Sequence, residues 1–155
     1  MYKTLKTKRT VYGGGGIMPD VFVPLDTTET TTYFSKLIQG GHVNNFAFQY
    51  INTNRSALKA QYPDIQTFQT NFNCDAAFME AFFAYVQKED PKLIHDEKEY
   101  ATSENLLKLR LKAVLAQDLW GTNEMFQIYN GTNEILQEAI RVLKNKEYNQ
   151  YKLDK

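Results

Sequence analysis

The chain has 155 residues, enough for one ordinary hydrophobic core with a small appendage. Hydrophobic residues at 43% and charged residues at 23% exclude a disordered chain, and the 14% aromatic content predicts a core rich in Phe and Tyr. Eighteen basic residues cancel eighteen acidic ones, so no overall field favours nucleic acid or an anionic membrane, and the single Cys74 excludes an intramolecular disulfide.

In chain order, residues 1–9 lack the apolar stretch of a signal peptide, and no run approaches the roughly 20 apolar residues of a spanning helix. The sequence as it stands is therefore expected to be soluble. Residues 1–29 read as a β segment: strand, glycine loop, strand, with Val11, Tyr12, Val21, Phe22 and Val23 as the strand residues. An isolated hairpin is marginal in water, so residues 9–25 are expected either to be mobile or to pair with another copy of the chain.

From residue 30 to 147 the pattern is helical. Tyr33, Phe34, Leu37 and Ile38 start a short helix that Gly40-Gly41 stops. Val43, Phe46, Ala47, Tyr50, Ile51, Ala57 and Leu58 share the inner face of the next, which ends at Pro63. Asp64 caps a short piece with Ile65, Phe68 and Phe72, and Asp75 opens a helix with the stripes Phe78-Phe82-Tyr85 and Met79-Phe83-Val86, implying burial over more than half its surface. Lys88–Lys98 reads as a charged connection. The longest helix is expected from Thr102 or Ser103 to Trp120, with Leu107, Leu111, Val114, Leu115 and Leu119 inward. Gly121-Thr-Asn-Glu recurs as Gly131-Thr-Asn-Glu, predicting two helix starts; Leu136, Ala139, Ile140 and Leu143 face inward on the last helix, and 148–155 is a polar tail. The expected fold is mainly α: an irregular bundle of five to six helices behind a short β segment.

The run Arg9-Thr-Val-Tyr-Gly-Gly-Gly-Gly-Ile-Met-Pro-Asp20 closely resembles a segment of the bacterial C-terminal processing (tail-specific) serine proteases, lying downstream of their catalytic residues near the end of the protease core. Residues 20–28 and 33–38 resemble the family's exit from that core, and 111–121 is similar to a late helix in members with a helical extension. The resemblance implies that Gly13, Gly14, Gly15, Gly16, Ile17, Pro19 and Asp20 are structural. It also implies a parent that hydrolyses protein C-terminal tails in the cell envelope or periplasm, with its catalytic core and PDZ module as this chain's partners. Self-association through exposed strands is a further expectation.

That family's chemistry needs a serine, a general-base lysine and oxyanion donors. Ser35, Ser56 and Ser103 lie in Phe-Ser-Lys, Arg-Ser-Ala and Thr-Ser-Glu contexts, unlike the family's Gly/Ser/Ala-rich nucleophile segment. No catalytic residue, metal set or cofactor is therefore assigned. Ser56-Ala-Leu-Lys59 formally matches Ser-x-x-Lys of penicillin-binding enzymes but reads as a solvated helix face without that family's other motifs. The glycine run lacks the Gly-Lys-[Ser/Thr] and helix start of a phosphate cradle. His95-Asp96-Glu97 reads as a solvated charged loop.

Asp118 lies about 20° from Leu107 at roughly 100° per residue, inside the apolar arc of its helix. It is the candidate buried acid, with Arg55, Arg110 or Arg141 as its partner. Phe48 falls about 140° from Val43, off the main stripe, and is expected to contact either the parent's core or a partner. The resulting reading is a non-catalytic C-terminal domain of a processing peptidase that braces, gates or assembles it; the alternative is a stand-alone helical module that binds a peptide or partner helix.

Overall fold

A computed structural model describes residues 1–6, 8, 10–11, 13 and 19–151, the last without its side chain. The described chain is mainly helical, with seven α-helices behind a short two-strand antiparallel hairpin. Both copies of Gly-Thr-Asn-Glu start separate helices, as the repeat predicts, and the described helices number seven against the five or six expected.

Strand β1 (Tyr2–Lys3) pairs with β2 (Thr10–Val11) in the register Tyr2 to Val11 and Lys3 to Thr10. Val11 is thus a strand residue, but its partner is the N-terminal Tyr2 and not a strand beyond the glycines. Tyr12, Gly14, Gly15, Gly16 and Ile17 lie outside the described residues. The expected second strand, Val21–Val23, is not formed: residues 22–27 have no regular secondary structure. Its composition suits a sheet, but the only sheet among the described residues pairs two residues with two.

The helices begin and end where short-range chemistry directs. Helix α1 (Thr32–Gln39) is capped by Thr31, whose Oγ1 accepts from Phe34 N at 3.1 Å. Gly40 and Gly41 stop it. Gly41 takes φ +71°, which favours glycine, and a Cβ on Gly40 would lie 2.6 Å from His42 Nε2 and 3.1 Å from Lys36 O. Helix α2 (His42–Gln61) follows, then α3 (Ile65–Asn71) and α4 (Ala76–Glu89). Asp64 and Asp75 cap the last two, accepting from Thr67 N at 2.7 Å and Phe78 N at 2.9 Å.

Helix α5 (Glu97–Leu119) starts five or six residues before the expected position. Asp96 is its N-cap, accepting from Glu99 N at 2.9 Å, and Glu97 and Glu99 place negative charge in the first turn. What reads as a charged connection is therefore partly a helix start. Helices α6 (Thr122–Asn130) and α7 (Glu134–Lys144) use the repeated tetrapeptide differently: α6 starts directly after Gly121, at φ +141°, whereas α7 is capped by Asn133, which accepts from Leu136 N. A 3-10 turn, Glu147–Tyr151, follows.

Two compact units are present, Asp26–Gly131, and Met1–Leu25 with Thr132–Lys155. In the first, α5 packs against α1, α2 and α6. Its core is aromatic: the Phe46 ring meets Phe78 at 5.4 Å and Phe82 at 5.2 Å, Phe68 stacks on Phe72 at 4.6 Å, and Trp120 meets Phe68 edge-on at 5.2 Å. Phe68, Phe82, Leu107, Leu111 and Leu115 are fully buried, each stabilising the fold by about 1.5–3 kcal/mol.

Three sequence expectations fail at the level of individual faces. Ala57 on α2 is exposed. On α4 only Phe78, Met79, Phe82 and Val86 are buried, with Phe83 and Tyr85 half-buried, so one face and not more than half the helix is covered. On α7 the expected inner residues are not buried. Leu136 and Ile140 are half-buried and Ala139 and Leu143 exposed, while Val142 is buried. Periodicity identifies residues that share a face; it does not supply the surface that covers them.

Candidate functional site

Polar and aromatic side chains come together where the start of α1 meets the start of α5. Tyr33, at the second position of α1, is only 4% exposed, and its Oη lies 3.0 Å from His95 Nδ1. The other ring nitrogen, Nε2, lies 3.1 Å from Glu97 Oε2. Around the imidazole stand Phe83, at 4.5 Å between ring centroids, Tyr33 at 5.4 Å and Tyr100 at 5.6 Å. Glu99 accepts from the backbone N–H of Tyr33, placing a carboxylate on the N-terminus of α1. Ser103, 1% exposed, donates to Glu99 O at 2.9 Å and lies 3.3 Å from Thr31 Oγ1.

His95, Asp96 and Glu97 are exposed, as the expectation of a solvated charged loop has it, with Glu97 opening α5. The imidazole is held by three aromatic rings and both its nitrogens have partners. The interaction was invisible because Tyr33 and Phe83 lie far from it in the chain. A histidine one residue ahead of an Asp helix cap was the available signal, since the cap fixes where its ring can point.

The chain of carboxylate, imidazole and phenol has the order of a general-base relay. Its environment assigns it another role. Burial, aided by the charge of Asp96, pushes the Tyr33 phenol up to about 12, and burial together with the Glu104 hydrogen bond does the same for Tyr100. Tyr33 is closed to solvent and stays protonated at neutral pH, so it serves as a hydrogen-bonded latch fastening α1 to α5. Among the described residues no three His, Cys, Asp or Glu side chains are grouped to hold a metal ion.

Other candidates resolve individually. Asp118 is half-buried, not fully buried. Burial raises its carboxyl pKa and the nearby Arg55 opposes that rise. Arg55 Nη1 donates to the Asp118 backbone carbonyl at 3.1 Å, so it meets the C-terminal end of α5 through the main chain. Arg110 donates to Tyr129 Oη at 2.7 Å and Arg141 to the carboxylates of Glu138 and Glu147. Of the three arginines, Arg55 is the one beside Asp118.

Ser56 and Lys59 are exposed on α2. Ser35 donates to Thr31 O at 2.9 Å, so the Ser35 and Ser103 hydroxyls are both committed to helix carbonyls. His42 lies 3.7 Å from Asp90, tying the start of α2 to the end of α4. Burial pushes the Cys74 thiol up to about 12, and it contacts Lys108 O at 3.5 Å. Phe48 is 60% exposed, off the buried stripe as its angle predicts. Of the glycine motif, Gly13, Pro19 and Asp20 are exposed, and a Cβ on Gly13 would lie 2.6 Å from the exposed Tyr2 ring.

The model of a family of unknown function, DUF8443, matches residues 33–121. The chain belongs to DUF8443. The matched stretch runs from the latch residue Tyr33 through the end of α5, so in this DUF8443 member it contains Phe83, His95, Glu97, Glu99, Tyr100 and Ser103 together with the aromatic core. No curated protein and no solved structure matches the chain. No helix among the described residues is long and apolar enough to cross a membrane.

Proposed function

We propose that this chain is the non-catalytic C-terminal domain of a serine-type carboxy-terminal processing peptidase, whose helical body braces the catalytic core. The carrying observation is a division of labour along the chain. The buried core of the helical body begins at Tyr33, and no described residue before it contributes. The stretch that resembles the protease core instead leaves Phe22 72% and Leu25 78% exposed, with Val21 and Val23 half-buried. Large apolar side chains left exposed outside a packed core are the material of a contact surface. The commitment of Ser35 and Ser103 to helix carbonyls supports an accessory role over a hydrolytic one.

The test uses the cognate peptidase core, truncated before its Arg-x-Val-Tyr-Gly-Gly-Gly-Gly run, with an unstructured peptide as substrate. The chain alone turns over no peptide, and adding it to the truncated core raises the core's thermal midpoint or its activity. An unchanged core sinks the reading. A second reading, a stand-alone helical module that binds a partner helix, is favoured by Phe48 and Phe126, which are 60% and 52% exposed on α2 and α6. Capture of a helical peptide lost on Phe48→Ser, with no effect on any peptidase core, selects it.

A further inference from the structure

Three arginines lie in the described helices, and Arg110 on α5 is the one with no acid beside it. Arg55 stands next to Asp118, and Arg141 binds Glu138 and Glu147. Among the described residues Arg110 makes one hydrogen bond, from Nη1 to Tyr129 Oη at 2.7 Å, and its Cζ lies 5.9 Å from the Tyr129 ring centroid. Tyr129 is not a counter-ion. Burial raises its phenol pKa above the ordinary value, although Arg110 opposes the rise, so at neutral pH it is an uncharged acceptor. Arg110 Nε is closed to solvent and has no partner among the described residues. A half-buried cation that lacks both a counter-ion and an acceptor for a buried N–H is costly, and a fold that keeps one needs a reason outside its own packing.

The unused donors lie together. Nε–H and one N–H of Nη2 point in parallel from a single edge of the guanidinium, while Tyr129 engages the group from the other side through Nη1. Nη2 also has no acceptor among the described residues, and it is not closed off as Nε is. Two parallel N–H donors match the two oxygens of a carboxylate, the bidentate arrangement in which arginine binds most strongly.

We propose that this edge of Arg110 is a binding site for one carboxylate group, with one oxygen on Nε–H and the other on Nη2–H. Tyr129 is the positioning residue, holding the guanidinium by its bond to Nη1. A phosphate group fits less well. It carries roughly −1.5 to −2 charge at neutral pH, and the neighbouring lysines of α5 are engaged elsewhere. Lys108 pairs with Glu104, and Lys112 donates to the carbonyls of Gln69 and Phe72. The site stands independently of the peptidase reading.

Acetate, the simplest carboxylate, is the probe, with chloride at equal ionic strength as the control. In proton–nitrogen correlation spectra of the full chain, the Arg110 Nε–H cross-peak moves saturably, half-way at about 10 mM, as for one charge-assisted pair, while those of Arg55 and Arg141 stay in place. At about 0.1 M acetate the thermal midpoint rises by about 4 °C over the chloride control, and Arg110→Lys, which keeps the charge and loses the fork, abolishes the rise. Tighter binding of N-acetylglutamate amide assigns the carboxylate to an acidic side chain, tighter binding of N-acetylglycine assigns it to a chain end, and either supports the site. A shift that does not saturate, or one shared equally by Arg141, overturns it. Inorganic phosphate binding more tightly than acetate at matched ionic strength overturns the carboxylate assignment. The wild-type titration decides the matter even where Arg110→Lys fails to fold.

Discussion

Replacing Lys112, a half-buried cation on α5, by Met should destabilise the helical body far more than loss of a surface lysine does. Helix α3 has only seven residues and contributes Ile65 and Phe68 to the core, yet a helix that short does not hold itself together in water. Its last carbonyls have no intrahelical donors. Lys112 Nζ, reaching across from α5, donates to Gln69 O at 2.8 Å and Phe72 O at 2.7 Å, and lies 5.9 Å from the Phe68 ring centroid. A hydrogen bond to a charged group contributes about 1.5–3 kcal/mol. Burial works against the ammonium and lowers its pKa, and Gln69 is exposed enough for water to replace part of what is lost.

The net cost of Lys112→Met is therefore about 2 kcal/mol, or about 6 °C in thermal midpoint for a chain of this size. Urea unfolding followed by far-UV circular dichroism measures it, with the slope unchanged and the midpoint lowered. Lys108→Met, one turn earlier, is the control. That lysine pairs with Glu104 at 2.7 Å on the surface, and its loss costs less than about 0.5 kcal/mol. Equal effects of the two substitutions would refute the claim that Lys112 closes α3.

Three further outcomes follow from the packing. Tyr33→Phe deletes the phenol of the latch but keeps the ring, costing about 1 kcal/mol, and a double-mutant cycle with His95→Gln returns a coupling of similar size; additive effects would deny the contact. Because the Tyr33 and Tyr100 phenols titrate near 12 when folded and 10 when unfolded, the folded state holds more protons in that window, so stability is intact below pH 10 and falls toward 12. Tyr33→Phe flattens that fall in urea midpoints measured against pH. Asp118→Asn shifts stability by no more than about 0.5 kcal/mol at neutral pH, since burial disfavours its charge, whereas Arg55→Leu loses the bond to the α5 carbonyl and costs about 1 kcal/mol.

The elements governed by short-range rules were legible in the sequence. Asp64, Asp75 and Asn133 cap helices because a side-chain oxygen needs only the next few amides, and Gly40-Gly41 stops α1 because the chain turns there through a φ of +71° that favours glycine. The helical core stripe on α2 followed equally from spacing, apart from the exposed Ala57. Relations between distant segments were not legible. Nothing local announces that Tyr33 meets His95, that Lys112 closes α3, or that Val142 is covered while Leu143 is exposed. Asp118 shows the boundary well: its angle on α5 was read correctly, but the degree of burial depended on where the neighbouring helices end. The candidate site was the least legible feature, since every contact defining it joins residues from separate elements.

The central claim is that this chain acts by attachment to a peptidase core. Sedimentation velocity of an equimolar mixture of the full chain and the truncated cognate core tests it most directly. Co-migration as a one-to-one complex is the predicted result; two species moving independently at concentrations where each is folded would contradict it.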